Sequence, residues 1–95
     1  MAGRELLMVF CYDIARDRTR ARVAAELERE LARVQKSVFE GRMTKPAAEK
    51  LGRRISLELG PGDSLRIYAV TPVGLKYSLS FGALPMPEPH DYWLV

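Results

Sequence analysis

Leu6-Leu7-Met8-Val9-Phe10-Cys11-Tyr12 is an unbroken apolar run that stops at Asp13. Seven apolar residues without alternation suit a strand buried on both faces, or the central strand of a small sheet. A chain of 95 residues has room for one domain around such a strand. Its core must be thin, because domains of this size bury only about 60–65% of the unfolded chain's surface. The residues are 47% hydrophobic and fall in short blocks, which argues for a globular fold and against disorder. No apolar run approaches the ~18 residues that span a bilayer, and the N-terminus lacks a signal-peptide layout. Cys11 is the single cysteine, so no internal disulfide can form, and a reducing cytoplasm is the expected location. Disulfide scaffolds, membrane proteins, zinc fingers and multidomain enzymes are set aside on these grounds.

The rest of the chain alternates between helical and strand periodicity. Asp17 is placed to cap a helix whose apolar stripe is Val23, Ala24, Leu27, Leu31 and Val34. Arg20 extends that stripe at its N-terminal end, next to where the first strand finishes. Val34 to Met43 is β-branched and aromatic, and reads as strand. Thr44 as N-cap and Pro46 just inside it begin a second helix with the stripe Ala48, Leu51, Ile55 and Leu59, ended by Gly60-Pro61-Gly62. Leu65 to Val70 reads as a strand, Thr71 to Gly74 as a turn, and Leu75, Tyr77, Leu79 and Phe81 alternate in a last strand. Pro85, Pro87 and Pro89 keep the tail extended up to Tyr92-Trp93-Leu94-Val95. If Arg33 to Met43 folds as a tight or bulged pair, the order is βαββαβ, the ferredoxin-like split pattern. Two helices cover one face of such a sheet, and the bare face is expected to dimerise.

Fifteen Lys+Arg against twelve Asp+Glu gives a net charge of +3. Placement matters more than the total. Arg16-Asp17-Arg18-Thr19-Arg20-Ala21-Arg22 carries four arginines and one aspartate, and after Gly60 only Arg66 and Lys76 are basic. A positive field concentrated in this way suits a polyanion, and arginine's planar fork suits phosphate oxygens. A charge run is as often a solvated helix face. Asp13, ending a buried strand, is by itself a turn or cap residue. Three residues before an arginine cluster, it also suits a magnesium-assisted phosphodiester site, where a hard cation needs oxygen ligands and phosphate needs positive charge. His90 is the only histidine and lies in the proline-rich tail, so histidine acid–base chemistry is not expected. Cys11 within the apolar strand reads as an inert core thiol. No Cys/His metal spacing and no phosphate-cradling glycine loop is present.

Four segments carry a family resemblance: Tyr12-Asp13-Ile14, Arg20-Ala21-Arg22-Val23, the run from Arg33 to Gly41 (Arg-Val-Gln-Lys-Ser-Val-Phe-Glu-Gly), and Asp63-Ser64-Leu65-Arg66-Ile67-Tyr68. In register over about residues 5–70, the chain resembles the small CRISPR-associated "Cas-two" proteins. Ala69 stands where the family often has proline, and residues 71–95 match only in general character.

The resemblance implies an α+β, ferredoxin-like βαββαβ sandwich with an additional C-terminal strand, forming a homodimer. The domain would span residues 1–82, including the exchange strand, with 83–95 as an extended tail on the partner subunit. It implies a role in CRISPR adaptation, in which the dimer bridges two dimers of the "Cas-one" integrase on duplex DNA. It also implies metal-dependent endonuclease activity on RNA or DNA. Asp13 would be the catalytic and metal-binding residue, one from each subunit sharing magnesium, with manganese as the alternative ion. Arg20, Arg22, Arg33, Ser37 and Phe39 match the family's other site positions, Phe39 reading as core sooner than as a substrate-stacking ring. Arg16 and Arg18, with Arg20 and Arg22, are the expected contacts to duplex DNA or single-stranded RNA. Two other classes fit the same residues: a non-catalytic dimeric DNA scaffold with Asp13 structural, and a small ferredoxin-like toxin or regulatory module.

Overall fold

The apolar run does become the middle of a sheet. In a computed structural model that describes residues 3–87, β1 (Leu6–Asp13) is hydrogen-bonded along both edges. It is followed by α1 (Asp17–Glu28), β2 (Ala32–Gln35), β3 (Val38–Met43), α2 (Lys45–Ser56), β4 (Ser64–Val70) and α3 (Pro72–Lys76). The four strands lie in the order β2-β3-β1-β4, all neighbours antiparallel. This is the expected ferredoxin-like α+β arrangement. No described helix is long and apolar enough to cross a membrane.

Strand periodicity sorts β1 onto two faces. Met8, Phe10 and Tyr12 point into the core with Val23, Leu27, Leu51 and Ile55 from the two helices. Phe10 stands opposite Phe39 of β3 and Ile67 of β4, and both phenylalanines are completely buried. Gly41 belongs to the same layer: a Cβ there would meet Leu31 Cδ2 at 2.5 Å, so its absence lets Leu31 close the core over β3. On the other face Leu7 is buried beneath Leu75, with Val70 and Met86 packed around them. Cys11, expected in the core, lies on this second face and is half-buried.

Several local expectations change. The N-cap of α1 is Arg16, with no side-chain cap, and Asp17 is the first helical residue. Its carboxylate pairs with Arg20 one turn on, while an acid in the first turn still complements the helix dipole. The helix stops at Glu28, so Val34 leaves the stripe and joins β2, while Leu31 is buried from the connecting turn. The stretch from Val34 to Met43 is not one strand: Lys36 and Ser37 turn between β2 and β3, with a register shift between Arg33 and Gln35.

The expected strand from Leu75 to Phe81 is absent from the described chain. Thr71 Oγ1 accepts from the Gly74 N–H at 3.0 Å and Pro72 follows at the first turn, so residues expected to turn instead start the short helix α3. Leu75 is buried there, while Tyr77, Leu79 and Phe81 are exposed. A strand needs a partner edge for its N–H and C=O groups, and this segment pairs with neither open edge of the sheet, β2 or β4. Residues 88–95, including His90 and the Tyr92-Trp93 pair, lie outside the described residues.

The second helix starts as expected, with Thr44 accepting from the Ala47 N–H at 3.3 Å and Ala48, Leu51 and Ile55 buried. It ends at Ser56, however, so Leu59 packs on the core, partly buried, from beyond the helix. Ile55→Ala should cost about 2–5 kcal/mol, and Thr44→Ala about 1 kcal/mol. Urea unfolding checks the order; a Thr44→Ala loss equal to that of Ile55→Ala would contradict this account of the core.

Candidate functional site

Because β1 is pinned on both edges, its last residue has a fixed place. Asp13 stands opposite Ser64, the first residue of β4, and opens onto a groove of about 700 Å³. The groove lies between the β1–α1 turn, one side of α1 from Asp17 to Glu28, and the β2–β3 turn. Its charged lining is Asp13, Asp17, Arg20, Glu28, Arg33 and Lys36, with Ser37 beside them. The Asp13 side chain is exposed and has no hydrogen-bond or ion-pair partner among the described residues.

Its neighbours, in contrast, are occupied. Arg20, half-buried, donates through Nη1 to the Ile14 carbonyl at 2.9 Å and the Ala15 carbonyl at 3.4 Å, and through Nη2 to Asp17. The expected place for Arg20, beside Asp13 at the end of strand one, is the place observed. Arg33 donates through Nε and Nη2 to the Lys36 carbonyl, at 3.1 and 2.6 Å, and lies 5.3 Å from the centroid of the Phe39 ring. Tyr12 Oη donates to the same carbonyl at 3.2 Å, and the Tyr12 N–H to the Ser37 carbonyl at 3.1 Å. Three donors on one oxygen hold the β2–β3 turn, and with it Ser37, against the end of β1.

The remaining expected residues divide. Phe39 has no exposed surface and stacks on Tyr12 with ring centroids 6.2 Å apart, so it is core, unable to stack on a substrate without unpacking. Arg22 lies outside the groove and pairs with Glu58 after α2, Nε to Oε1 at 3.1 Å. Arg16 and Arg18 are exposed at the start of α1.

A magnesium ion takes one or two carboxylates together with waters and substrate phosphates. Asp13 fits that use. Asp17 is engaged by Arg20, Glu28 lies 3.8 Å from Arg33, and no three His, Cys, Asp or Glu side chains gather into a cage among the described residues. The groove of one chain thus supplies one uncommitted carboxylate, Asp13.

Asp63 was not singled out from sequence, although it sits beside Asp13. It closes its own turn by accepting from the Gly60 N–H at 2.8 Å, and it reaches across to accept from the Ala15 N–H at 3.1 Å. These backbone hydrogen bonds, helped by Arg16, hold its carboxyl below the usual aspartate range. The Gly60-Pro61-Gly62 turn was legible; the bond spanning 48 residues was not. Glu40, on the sheet face away from the helices, is shifted upward by burial, against the opposing charge of Arg42.

The family model described as "CRISPR associated protein Cas2" matches residues 6–75. A Synechocystis protein named CRISPR-associated endoribonuclease Cas2 2 is 36% identical over 87 residues, covering 90% of this chain and 94% of its own. A Thermus thermophilus protein named CRISPR-associated endoribonuclease Cas2 is 36% identical over 92 residues, 94% of this chain and 98% of its own. Among solved structures, a hypothetical protein from Thermus thermophilus superposes with a TM-score of 0.69 at 36% identity, covering 85% of this chain and 98% of its own. A chain of a partial Cas6-RT-Cas1–Cas2 complex gives 0.74 at 26% identity, covering 87% of this chain and 92% of its own.

The depressed Asp63 carboxyl makes a pH-dependent contribution to stability. Its folded-state value lies below the unfolded one, so the stabilisation is complete above the unfolded value, about 3.9, and disappears as pH falls through the folded value. The gap in Tm between wild type and Asp63→Asn should be constant at neutral pH and narrow in acid. Thermal unfolding followed from neutral pH to the acid limb checks this, and a gap that stays constant would contradict it.

Proposed function

The chain belongs to the Cas2 family of CRISPR-associated proteins, and from that premise we propose that it serves CRISPR adaptation as a homodimeric, metal-dependent endonuclease. RNA is the first substrate to test, because its curated relatives are named endoribonucleases. The partner is a Cas1 integrase, since a chain of a Cas1–Cas2 complex shares this fold. One observation carries the catalytic reading: Asp13 is an uncommitted carboxylate at the mouth of a groove in which Asp17, Arg20, Glu28 and Arg33 are already paired. A group left without partners beside basic side chains is available to a ligand.

When bound, magnesium supplies a Lewis acid for the phosphoryl oxygens and a nucleophilic water. Asp13 would hold it, with the Asp13 of a second subunit completing the oxygen ligands. Lys36, Arg16 and Arg18, which are exposed, would meet the backbone phosphates. Arg20 and Arg33, whose donors are taken by backbone carbonyls, keep the two turns in place and need not touch substrate. The dimer is favoured by the exposed Tyr77, Leu79 and Phe81, each worth about 1.5–3 kcal/mol if buried against a partner. A non-catalytic scaffold for duplex DNA uses the same exposed arginines and is favoured by the groove's offering one uncommitted carboxylate, Asp13.

Asp13→Asn separates the two. The variant should fold and sediment as wild type, bind nucleic acid at least as well, and lose magnesium-dependent cleavage of labelled RNA and duplex DNA. No cleavage by wild type in any divalent metal would leave the scaffold, and equal cleavage by the purified variant would remove Asp13 from the mechanism.

A further inference from the structure

The peptide unit that joins Ile14 to Ala15, just beyond Asp13, is gripped on both sides. Arg20 donates to its carbonyl, that of Ile14, at 2.9 Å, and the Asp63 carboxylate accepts from its N–H, that of Ala15, at 3.1 Å. The second oxygen of Asp63 accepts from the Gly60 N–H at 2.8 Å, within a turn where Gly62 takes φ +84°. Asp63 immediately precedes Ser64, which pairs with Asp13 across the sheet. One carboxylate therefore joins the turn leaving β1 to the turn entering β4, at the end of the sheet where Asp13 stands. Asp63 does not line the Asp13 groove; it faces a neighbouring cleft with Arg16 and Thr19.

We propose that Asp63 is a positioning residue for Asp13, a two-acceptor clamp that fixes the backbone from Ile14 to Arg16. The inference rests on the reading of Asp13 as the acting carboxylate. Two N–H donors from separate turns require two acceptor oxygens, which an ionised Asp provides. Asn provides one, and turns an N–H donor toward the other amide. Ala provides none. Releasing the Ala15 N–H leaves the turn held only from its carbonyl side by Arg20, so Asp13 keeps its chemistry but loses its fixed direction. Misplacements of about 1 Å cost on the order of 10²-fold in rate without weakening substrate binding correspondingly.

The test pairs backbone amide hydrogen exchange with cleavage kinetics in wild type, Asp63→Ala and Asp63→Asn. In Asp63→Ala, exchange at both Ala15 and Gly60 should accelerate, and kcat should fall about 10-fold or more with KM within about twofold. Asp63→Asn should keep protection at one of the two amides and recover part of kcat. Circular dichroism establishes folding; if Asp63→Ala does not fold, the split between the two amides in Asp63→Asn decides. Unchanged Ala15 exchange on loss of the carboxylate would overturn the clamp. So would accelerated exchange with unchanged kcat, or a rise in KM alone. If wild type cleaves nothing, the proposed reaction fails, and the Ala15 exchange alone decides whether the clamp exists.

Discussion

β1 is hydrogen-bonded on both edges, and the position of every other part follows from that. Its registers with β3 and β4 set Phe10 against Phe39 and Ile67, and they set Asp13 against Ser64. A slip of one residue on either edge would turn Met8, Phe10 and Tyr12 out of the core and carry Asp13 to the helix face. Burial of the phenylalanine pair is thus also what aims the strand's last carboxylate. Stability and site geometry share one constraint.

At that end of the sheet the charged groups separate into those that hold and those that remain available. Arg20, Arg33, Asp17 and Asp63 are committed to backbone groups or to one another. Exposed ion pairs such as Arg20–Asp17 are worth little as stability, about 0–1 kcal/mol. Their effect is to fix two turns and to neutralise one another. The charge that is left, Asp13 with the exposed Arg16, Arg18 and Lys36, can then act on a phosphate backbone.

Much of this could be read from the chain. The unbroken run to Tyr12, the Thr44 cap with Pro46 and the stripe through Ile55 gave β1 and α2 almost residue by residue, because local pattern and tertiary burial agree there. Arg20 was placed beside Asp13 by helical spacing alone. The reading failed where the deciding contact is distant or belongs to another chain. The alternation from Leu75 to Phe81 is real, but within one chain no edge pairs with it and Thr71 favours a helix start. Asp63 binds Ala15 across 48 residues, which no local periodicity encodes. The bulged pair over Arg33 to Met43 was legible, but not that its turn at Lys36 and Ser37 is held by Tyr12 and Arg33.

The central claim is that Asp13, the one uncommitted carboxylate of the groove, works with its counterpart in a second subunit. Wild-type and Asp13→Asn chains, unfolded together, refolded as mixed dimers and assayed for magnesium-dependent RNA cleavage, test it directly. A site shared between subunits predicts activity falling as the square of the wild-type fraction. Activity falling linearly with that fraction would show that each chain acts alone, and would contradict the account.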